Sequence, residues 1–183
     1  MRRLVPLIVA VLALSACTTA ADPDEPDIPS PFATCSPLES SGVASTEIPD
    51  ISLPCFTGGE GVKLRDLRGP AVINLWASWC GPCREELPVI QGLADRADGR
   101  FTVLGVDIGD DRDAAADFAA TRGVNFPTLY DREKRLLDKL GLAALPATVF
   151  IDADGGMYVH RAAMDVDQLI EQVKKHIGVT VTR

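Results

Sequence analysis

Histidine and clustered basic residues are scarce in this chain of 183 residues. The two histidines, His160 and His176, do not stand at a metal-like spacing from any cysteine. Because a structural zinc site needs about four ligands, we expect no metal, and we expect no other cofactor. Lys and Arg number 18 against 26 Asp and Glu, so the formal charge is -8. This balance argues against a nucleic-acid partner, since phosphate binding needs grouped cations.

The N-terminal apolar run, Leu4–Leu14, is too short to span a bilayer comfortably and follows Arg2 and Arg3. This pattern predicts a signal peptide over residues 1–16. The string LSAC, which ends at Cys17, resembles the lipobox of bacterial lipoproteins, in which the cysteine receives a diacylglycerol. The resemblance implies a lipidated Cys17 at the extracytoplasmic face of the bacterial cell membrane. The alternative is an ordinary secretory signal in which this cysteine is incidental.

Three regions follow the predicted signal peptide. Residues 17–46 are rich in Ala, Asp, Pro, Ser and Thr, and this composition predicts a disordered, lipidated tether. Residues 47–178 form the predicted folded domain, and residues 179–183 form a C-terminal tail. Apolar residues make up 46% of the chain, which is enough for a sizeable core.

The domain reads as an α/β fold in the order hairpin, β, α, β, α, α, β, β, α. We expect a mixed central sheet flanked by helices, with an N-terminal hairpin extension and two early parallel strands. Residues 126–130 read as a short extended piece, and Val166, Leu169, Ile170 and Val173 share one face of the last helix. The predicted bounds are 51–56 and 62–64 for the hairpin, 71–77, 101–108, 147–151 and 157–162 for the strands, and 80–96, 113–121, 132–140 and 165–177 for the helices.

The dithiol Cys80-Gly81-Pro82-Cys83 follows a buried strand and opens a helix. Unpaired N–H groups and the helix dipole at that end stabilise a thiolate, so Cys80 is the expected attacking thiol. Cys83 lies one turn further along and is the expected resolving thiol, which forms the redox disulfide with Cys80. Pro82 suits the first helical turn because it has no N–H to leave unpaired.

The segment around the dithiol, NLWASWCGPCREELP at residues 74–88, resembles the active-site segment of the membrane-tethered thioredoxin-like TlpA/ResA/CcmG group. LPAT at 145–148 matches the loop that carries a cis-proline in that superfamily, about 60 residues further on. VKLRDLRG at 62–69 and GVNFP at 123–127 also fit the group. The resemblance covers residues 48–178 and implies a thioredoxin-like fold and dithiol exchange.

The resemblance also implies roles for residues around the dithiol. It implies a cis peptide bond between Leu145 and Pro146, against Cys80, where a substrate peptide would bind. It implies that Glu86 tunes the protonation of the dithiol, because Asn74 stands where cytoplasmic thioredoxins have a titratable Asp. Glu86 as a solvated carboxylate and Pro146 as an ordinary trans proline are the alternatives. The expected substrate-binding residues are Trp79, which forms part of an apolar rim, and Gly81, Pro82, Leu145 and Pro146.

Two cysteines, Cys35 and Cys55, remain besides the dithiol and Cys17. In an oxidising compartment an even leftover pair suggests a structural disulfide, here between the end of the tether and the first hairpin. Free thiols or a second redox pair are the alternatives, although these cysteines lack a CxxC setting.

The expected function is reduction of disulfides in exported proteins, for which the group resemblance suggests apocytochrome c during cytochrome c maturation. The implied partner is a membrane electron donor of the CcdA/DsbD type, and we expect a monomer. The alternatives are an oxidative folding catalyst of the DsbE type, a thiol peroxidase and a copper carrier. Peroxidases of this fold usually have Thr or Ser where this chain has Ala77, and copper carriers use CxxxC with a distal His.

Overall fold

A five-stranded mixed sheet forms the centre of the computed structural model, which describes residues 30–36, 38 and 41–183. The predicted signal peptide and Cys17 lie outside the described residues. No helix in the described part of the chain combines the length and apolar character needed to cross a bilayer. The strands are β1 Ser52–Leu53, β2 Val62–Lys63, β3 Ala71–Trp76, β4 Thr102–Ile108, β5 Thr128–Asp131, β6 Ala147–Ile151 and β7 Met157–His160. The helices are α1 Gly81–Ala94, α2 Arg112–Arg122, α3 Arg135–Lys139 and α4 Val166–Ile177.

The sheet has the strand order β5-β4-β3-β6-β7, with β3 at its centre. β3 pairs parallel with β4 and antiparallel with β6, and every residue of β3 and β4 is buried. Their near-continuous apolar sequences follow from this burial on both faces. The predicted mixed sheet, the parallel early strands and the N-terminal hairpin are confirmed, the hairpin as the short antiparallel pair β1 and β2.

The predicted order of elements omitted one strand. Residues 126–130 read only as a short extended piece, whereas Thr128–Asp131 form β5 and pair parallel with β4 at the sheet edge. A strand of four residues is too short to show a clear alternation of apolar and polar residues. β5 is therefore recognised as a strand by its pairing with β4.

Side chains of β3 alternate between two hydrophobic cores. Val72 and Trp76 face the core that includes buried residues of α1, α2 and α4. Ile73 and Leu75 face the other core, which includes Leu53 of the hairpin and Leu136 of α3. β3 ends four residues before Cys80, so the sheet positions the start of α1.

Of the last two helices, α3 differs from the sequence prediction and α4 agrees with it. α3 is shorter than predicted because the Asp131 side chain accepts hydrogen bonds from the backbone N–H groups of Arg135 and Leu136 and starts the helix there. α4 buries Leu169 and Val173, and Val166 lines the same surface cavity as Leu169 and Ile170, in agreement with the predicted shared face. Val166 is 41% exposed because it is the first residue of the helix, next to the capping residue Asp165.

The packed domain begins before residue 47, so the predicted tether boundary at residue 46 is too late. Phe32 is buried, and its ring centroid lies 4.7 Å from that of Phe56 and 6.0 Å from that of Trp76. Ala44 forms an isolated antiparallel bridge with Arg68. The backbone N–H of Ala33 also donates a hydrogen bond of 2.7 Å to the Asn125 carbonyl, so this segment is held against the domain.

Candidate active site

The dithiol lies at the junction between β3 and α1. Cys80 is the N-cap of α1, and its Sγ accepts a hydrogen bond of 3.3 Å from the backbone N–H of Cys83. The two cysteines are joined by a disulfide, with their Cα atoms 5.3 Å apart. Cys80 retains 5% of its surface exposed and Cys83 retains none. A substrate disulfide can therefore approach only Cys80 without rearrangement.

A groove of about 390 Å³ opens beside the dithiol. Trp79 lines the groove and is 58% exposed, whereas Trp76 is completely buried. The peptide bond between Leu145 and Pro146 is cis, as the resemblance implies. The groove brings together the predicted substrate-binding residues, except Pro146, with four further apolar side chains and Lys134; its lining is Trp79, Cys80, Gly81, Pro82, Ile108, Lys134, Leu137, Ala143, Ala144 and Leu145.

Glu86 lies inside the core and not on the surface of α1. Its side chain is 2% exposed, which excludes the alternative of a solvated carboxylate. One carboxylate oxygen accepts a hydrogen bond of 3.0 Å from the Asn74 amide, and the other accepts one of 2.9 Å from the Met164 backbone N–H. The Asn74 amide also donates to the Thr148 hydroxyl at 3.1 Å. Glu86 and Asn74 thus form one hydrogen-bonded unit between α1 and the sheet.

Burial raises the pKa of Glu86 from 4.5 to about 7, against the opposing effect of the hydrogen bonds from Asn74 and Met164. The carboxyl group can therefore gain or lose a proton near neutral pH. Asn74 can serve both states, because an amide offers an N–H donor to a carboxylate and an oxygen acceptor to an acid. In the observed orientation its Oδ1 has no hydrogen-bond partner, so it remains available for the second role.

Sequence reasoning missed a second acidic group near the dithiol. Asp110 is buried and binds the side chain of Ser78, two residues before Cys80. Its neighbour Asp107 is also buried, and burial together with the Asp110 charge raises the pKa of Asp107 to about 9. The only signal for this pair in the sequence was Asp107, an acidic residue within the apolar run that forms β4. Burying an unpaired charge there would cost free energy.

The remaining cysteines lie in the lead-in and after the hairpin strand β1. Cys35 and Cys55 are joined by a disulfide with their Cα atoms 5.8 Å apart, and both are buried. Cys55 also forms an isolated antiparallel bridge with Leu129 of β5. Neither cysteine lines the groove beside the dithiol. This arrangement fits the expected structural bridge.

No metal site accompanies the dithiol in the part of the chain that the structure describes. No three His, Cys, Asp or Glu side chains converge there in a way that could hold a metal ion. The dithiol chemistry needs none, since thiolate attack on a disulfide uses only protons and electron pairs.

Residues 44–160 match the family model described as the AhpC/TSA family. The chain belongs to this family. A relative named thiol-disulfide oxidoreductase ResA from Geobacillus thermodenitrificans is 30% identical over 142 residues, which cover 76% of this chain and 79% of the relative. ResA from Bacillus subtilis is 32% identical over 101 residues, which cover 54% of this chain and 56% of that relative. The chain thus matches little more than half the length of the Bacillus subtilis protein.

Solved structures agree with these relatives. A secreted disulfide oxidoreductase of Mycobacterium tuberculosis, described as homologous to Escherichia coli DsbE, superposes with a TM-score of 0.65 at 26% identity. The match covers 72% of this chain and 99% of that structure. The predicted thioredoxin-like fold and the resemblance to the ResA group are confirmed, and the chain is a homologue of thiol–disulfide oxidoreductases.

Proposed function

We propose that this protein is an extracytoplasmic thiol–disulfide oxidoreductase that reduces disulfides in exported proteins through Cys80 and Cys83. The observation that carries the proposal is the dithiol at the N-terminus of α1, with Cys80 at the N-cap and open to the groove. Helix N-termini stabilise thiolates, and the thiolate is the attacking species.

The exchange proceeds in two steps. The Cys80 thiolate attacks one sulfur of the substrate disulfide, forms a mixed disulfide and releases the other substrate sulfur as a thiolate, which takes up a proton. Cys83 then loses its proton and attacks the Cys80 sulfur, which releases the second substrate thiol. Two electrons pass to the substrate, and Cys80 and Cys83 are left as a disulfide. Glu86 is the proposed acceptor of the Cys83 proton, because its pKa of about 7 suits transfer in either direction.

The groove beside Cys80 is the proposed binding site for the substrate peptide. Trp79, Gly81, Pro82 and Leu145 line this groove, and the cis Pro146 follows Leu145 as a buried residue outside the lining. An extended peptide on the Leu145 side would bind by strand addition, with backbone hydrogen bonds that do not depend on its sequence. Apocytochrome c with its CxxCH cysteines is the proposed physiological substrate, and a membrane donor of the CcdA/DsbD type is the proposed source of electrons.

The proposed position is the extracytoplasmic face of the cell membrane, reached through the signal peptide at 1–16 and a lipid on Cys17. Metabolic labelling with a radioactive fatty acid in a bacterial host tests the anchor. Wild type should carry the label and Cys17→Ser should not, and an unlabelled wild type would contradict the anchor while leaving the exchange chemistry unaffected.

The test of the exchange chemistry is a trapping experiment with the full chain. Cys83→Ser should accumulate a mixed disulfide between Cys80 and a substrate cysteine, because the resolving thiol is absent. Cys80→Ser should form no adduct and should lose insulin-disulfide reduction. Retained reductase activity in Cys80→Ser would overturn the proposal. A redox titration gives the direction, since a potential near the ~-120 mV of strong oxidants would favour the oxidative folding alternative.

A thiol peroxidase remains the second candidate, because the AhpC/TSA family match spans residues 44–160. Ala77, which is buried, offers no hydroxyl at the position where peroxidases of this fold usually have Thr or Ser. Peroxide consumption with a dithiol donor separates the two, and turnover faster than insulin reduction would reverse the ranking.

A further inference from the structure

Two acidic residues that the exchange steps do not use lie at the carboxyl end of β4. Asp107 stands in this strand opposite Trp76 of β3, and Asp110 follows three residues later, after the turn at Gly109. Both side chains are buried. Charged carboxylates are rarely buried without partners, so neighbouring groups must compensate for the burial of these two side chains.

Asp110 binds the segment that leads into the dithiol. Its Oδ2 accepts a hydrogen bond from the backbone N–H of Ser78, and its Oδ1 accepts one of 2.9 Å from the Ser78 hydroxyl. Oδ1 also accepts a hydrogen bond of 2.8 Å from the backbone N–H of Asp111. A carboxylate has only acceptor oxygens, and three donors converge on this one. Asp110 therefore accepts hydrogen bonds from both the backbone and the side chain of Ser78.

Asp107 interacts electrostatically with Asp110. Burial and the Asp110 charge raise the pKa of Asp107 to about 9, so Asp107 is a neutral acid at neutral pH. Its two oxygens accept no hydrogen bond from any residue that the structure describes. As a neutral acid, however, it can donate its proton towards the Asp110 carboxylate and does not repel it.

Two further hydrogen bonds hold the turn at Gly109 and Asp110. The Trp79 indole N–H donates to the Gly109 carbonyl at 3.2 Å, and the Tyr130 hydroxyl donates to the Asp110 carbonyl at 3.0 Å. Gly109 has a φ of 58°, and a Cβ there would lie 2.2 Å from Cε of Lys134. The turn is thus tightly packed from both sides, and Asp110 has little freedom to move away from Ser78.

We propose that Asp110 is a positioning residue for the redox reaction: by holding Ser78 it keeps Cys80 aligned with the N-terminus of α1. It does not touch the reacting sulfurs and acts through the two peptide bonds that join Ser78 to Trp79 and Trp79 to Cys80. The alignment matters because the Cys80 sulfur receives the Cys83 N–H only in the N-cap position. The inference rests on the proposed function, in which the Cys80 thiolate is the attacking group.

The test is the pH dependence of alkylation of Cys80 by iodoacetamide in the reduced full chain, with the modified cysteine identified by fragment masses. Ser78→Ala removes one neutral hydroxyl and no charge. Its alkylation profile should shift to higher pH, and its rate at pH 7 should fall roughly threefold to tenfold, because the thiolate loses alignment with its donors. Ser78→Thr keeps the hydroxyl and should restore the wild-type profile.

Asp110→Asn provides the second arm. Ser78→Ala should shift the profile less in an Asp110→Asn background than in wild type, because Asn has only one acceptor oxygen for the three donors that share the two carboxylate oxygens. Asp117→Asn, which removes an exposed carboxylate from α2, is the matched control and should leave the profile unchanged. A Ser78→Ala profile that superimposes on the wild type, or an equal shift in Asp117→Asn, would overturn the inference. Because alkylation needs no protein substrate, this result is independent of the trapping experiment with Cys83→Ser.

Discussion

The Asn74 amide donates a hydrogen bond of 3.0 Å to the Glu86 carboxylate inside the core, between the central strand and the redox helix. Glu86 is buried with uncharged partners, because its two oxygens accept from the Asn74 amide and from the Met164 backbone N–H. The pairing leaves the pKa of Glu86 at about 7 and links the stability of the protein to pH.

Glu86→Gln should stabilise the protein above pH 7. Folded Glu86 holds its proton up to about pH 7, whereas the unfolded chain releases it near 4.5, so wild-type stability falls as pH rises between these values. The loss is at most about 3 kcal/mol, and Gln avoids it. Urea unfolding at pH 4 and pH 8 checks this. Glu85→Gln, an exposed neighbour, should show no such difference between the two pH values.

The same substitution should alter the pH dependence of exchange. In wild type, the second step should accelerate as pH rises through about 7, because the ionised Glu86 accepts the Cys83 proton. Glu86→Gln should lose this inflection and be slower at pH 8. The measurement is the release of a chromogenic thiol from a preformed mixed disulfide on Cys80. An inflection near pH 7 that persists in Glu86→Gln would assign it to another group.

Removing the disulfide between Cys35 and Cys55 should lower stability without stopping exchange. The two cysteines are 20 residues apart, and closing a loop of this size stabilises a domain by about 3 kcal/mol. Cys35→Ala with Cys55→Ala should lose about that amount in urea unfolding. Insulin reduction at a temperature well below Tm should stay within about twofold of wild type. Loss of activity in a folded double variant would instead support a second redox pair.

Gly81→Ala should be tolerated. A Cβ at Gly81 would have no atom within 4 Å, so neither sterics nor packing requires glycine between the two cysteines. We expect the free energy of unfolding to change by no more than about 0.5 kcal/mol and insulin reduction to persist. Gly69→Ala is the contrasting variant, because its Cβ would lie 1.8 Å from the Asp152 carbonyl oxygen. It should destabilise the protein strongly, and equal behaviour of the two variants would contradict the geometry.

The dithiol, its helix and the buried strand before it were predictable because each has a strong local signal. The apolar run of β3 predicts a central strand, and Cys80-Gly81-Pro82-Cys83 starts the helix that follows it, with Pro82 suited to the first turn. Glu86 was also predictable, since helical spacing puts it one turn beyond Cys83, on the side that faces the core.

Asp110 was not predictable from local signals. In the string of Asp110, Asp111 and Arg112, an acidic residue before a helix reads as an N-cap, and Asp111 does cap α2. The partner of Asp110 is Ser78, 32 residues earlier, and only the parallel pairing of β3 and β4 brings them together. Phe32 was missed for a similar reason, because its contacts with Phe56 and Trp76 are distant in sequence.

The bridge from Cys35 to Cys55 also decides how the domain responds to a mechanical pull from its N-terminal side. Tension that enters at residue 30 passes through the covalent bond to Cys55, so the chain between the two cysteines, including β1, is bypassed. Phe32 lies upstream of the bridge and would be the first side chain extracted. Its departure would expose Trp76, the last residue of β3. Force spectroscopy would therefore detect a small early event at Phe32 before the sheet itself is stretched.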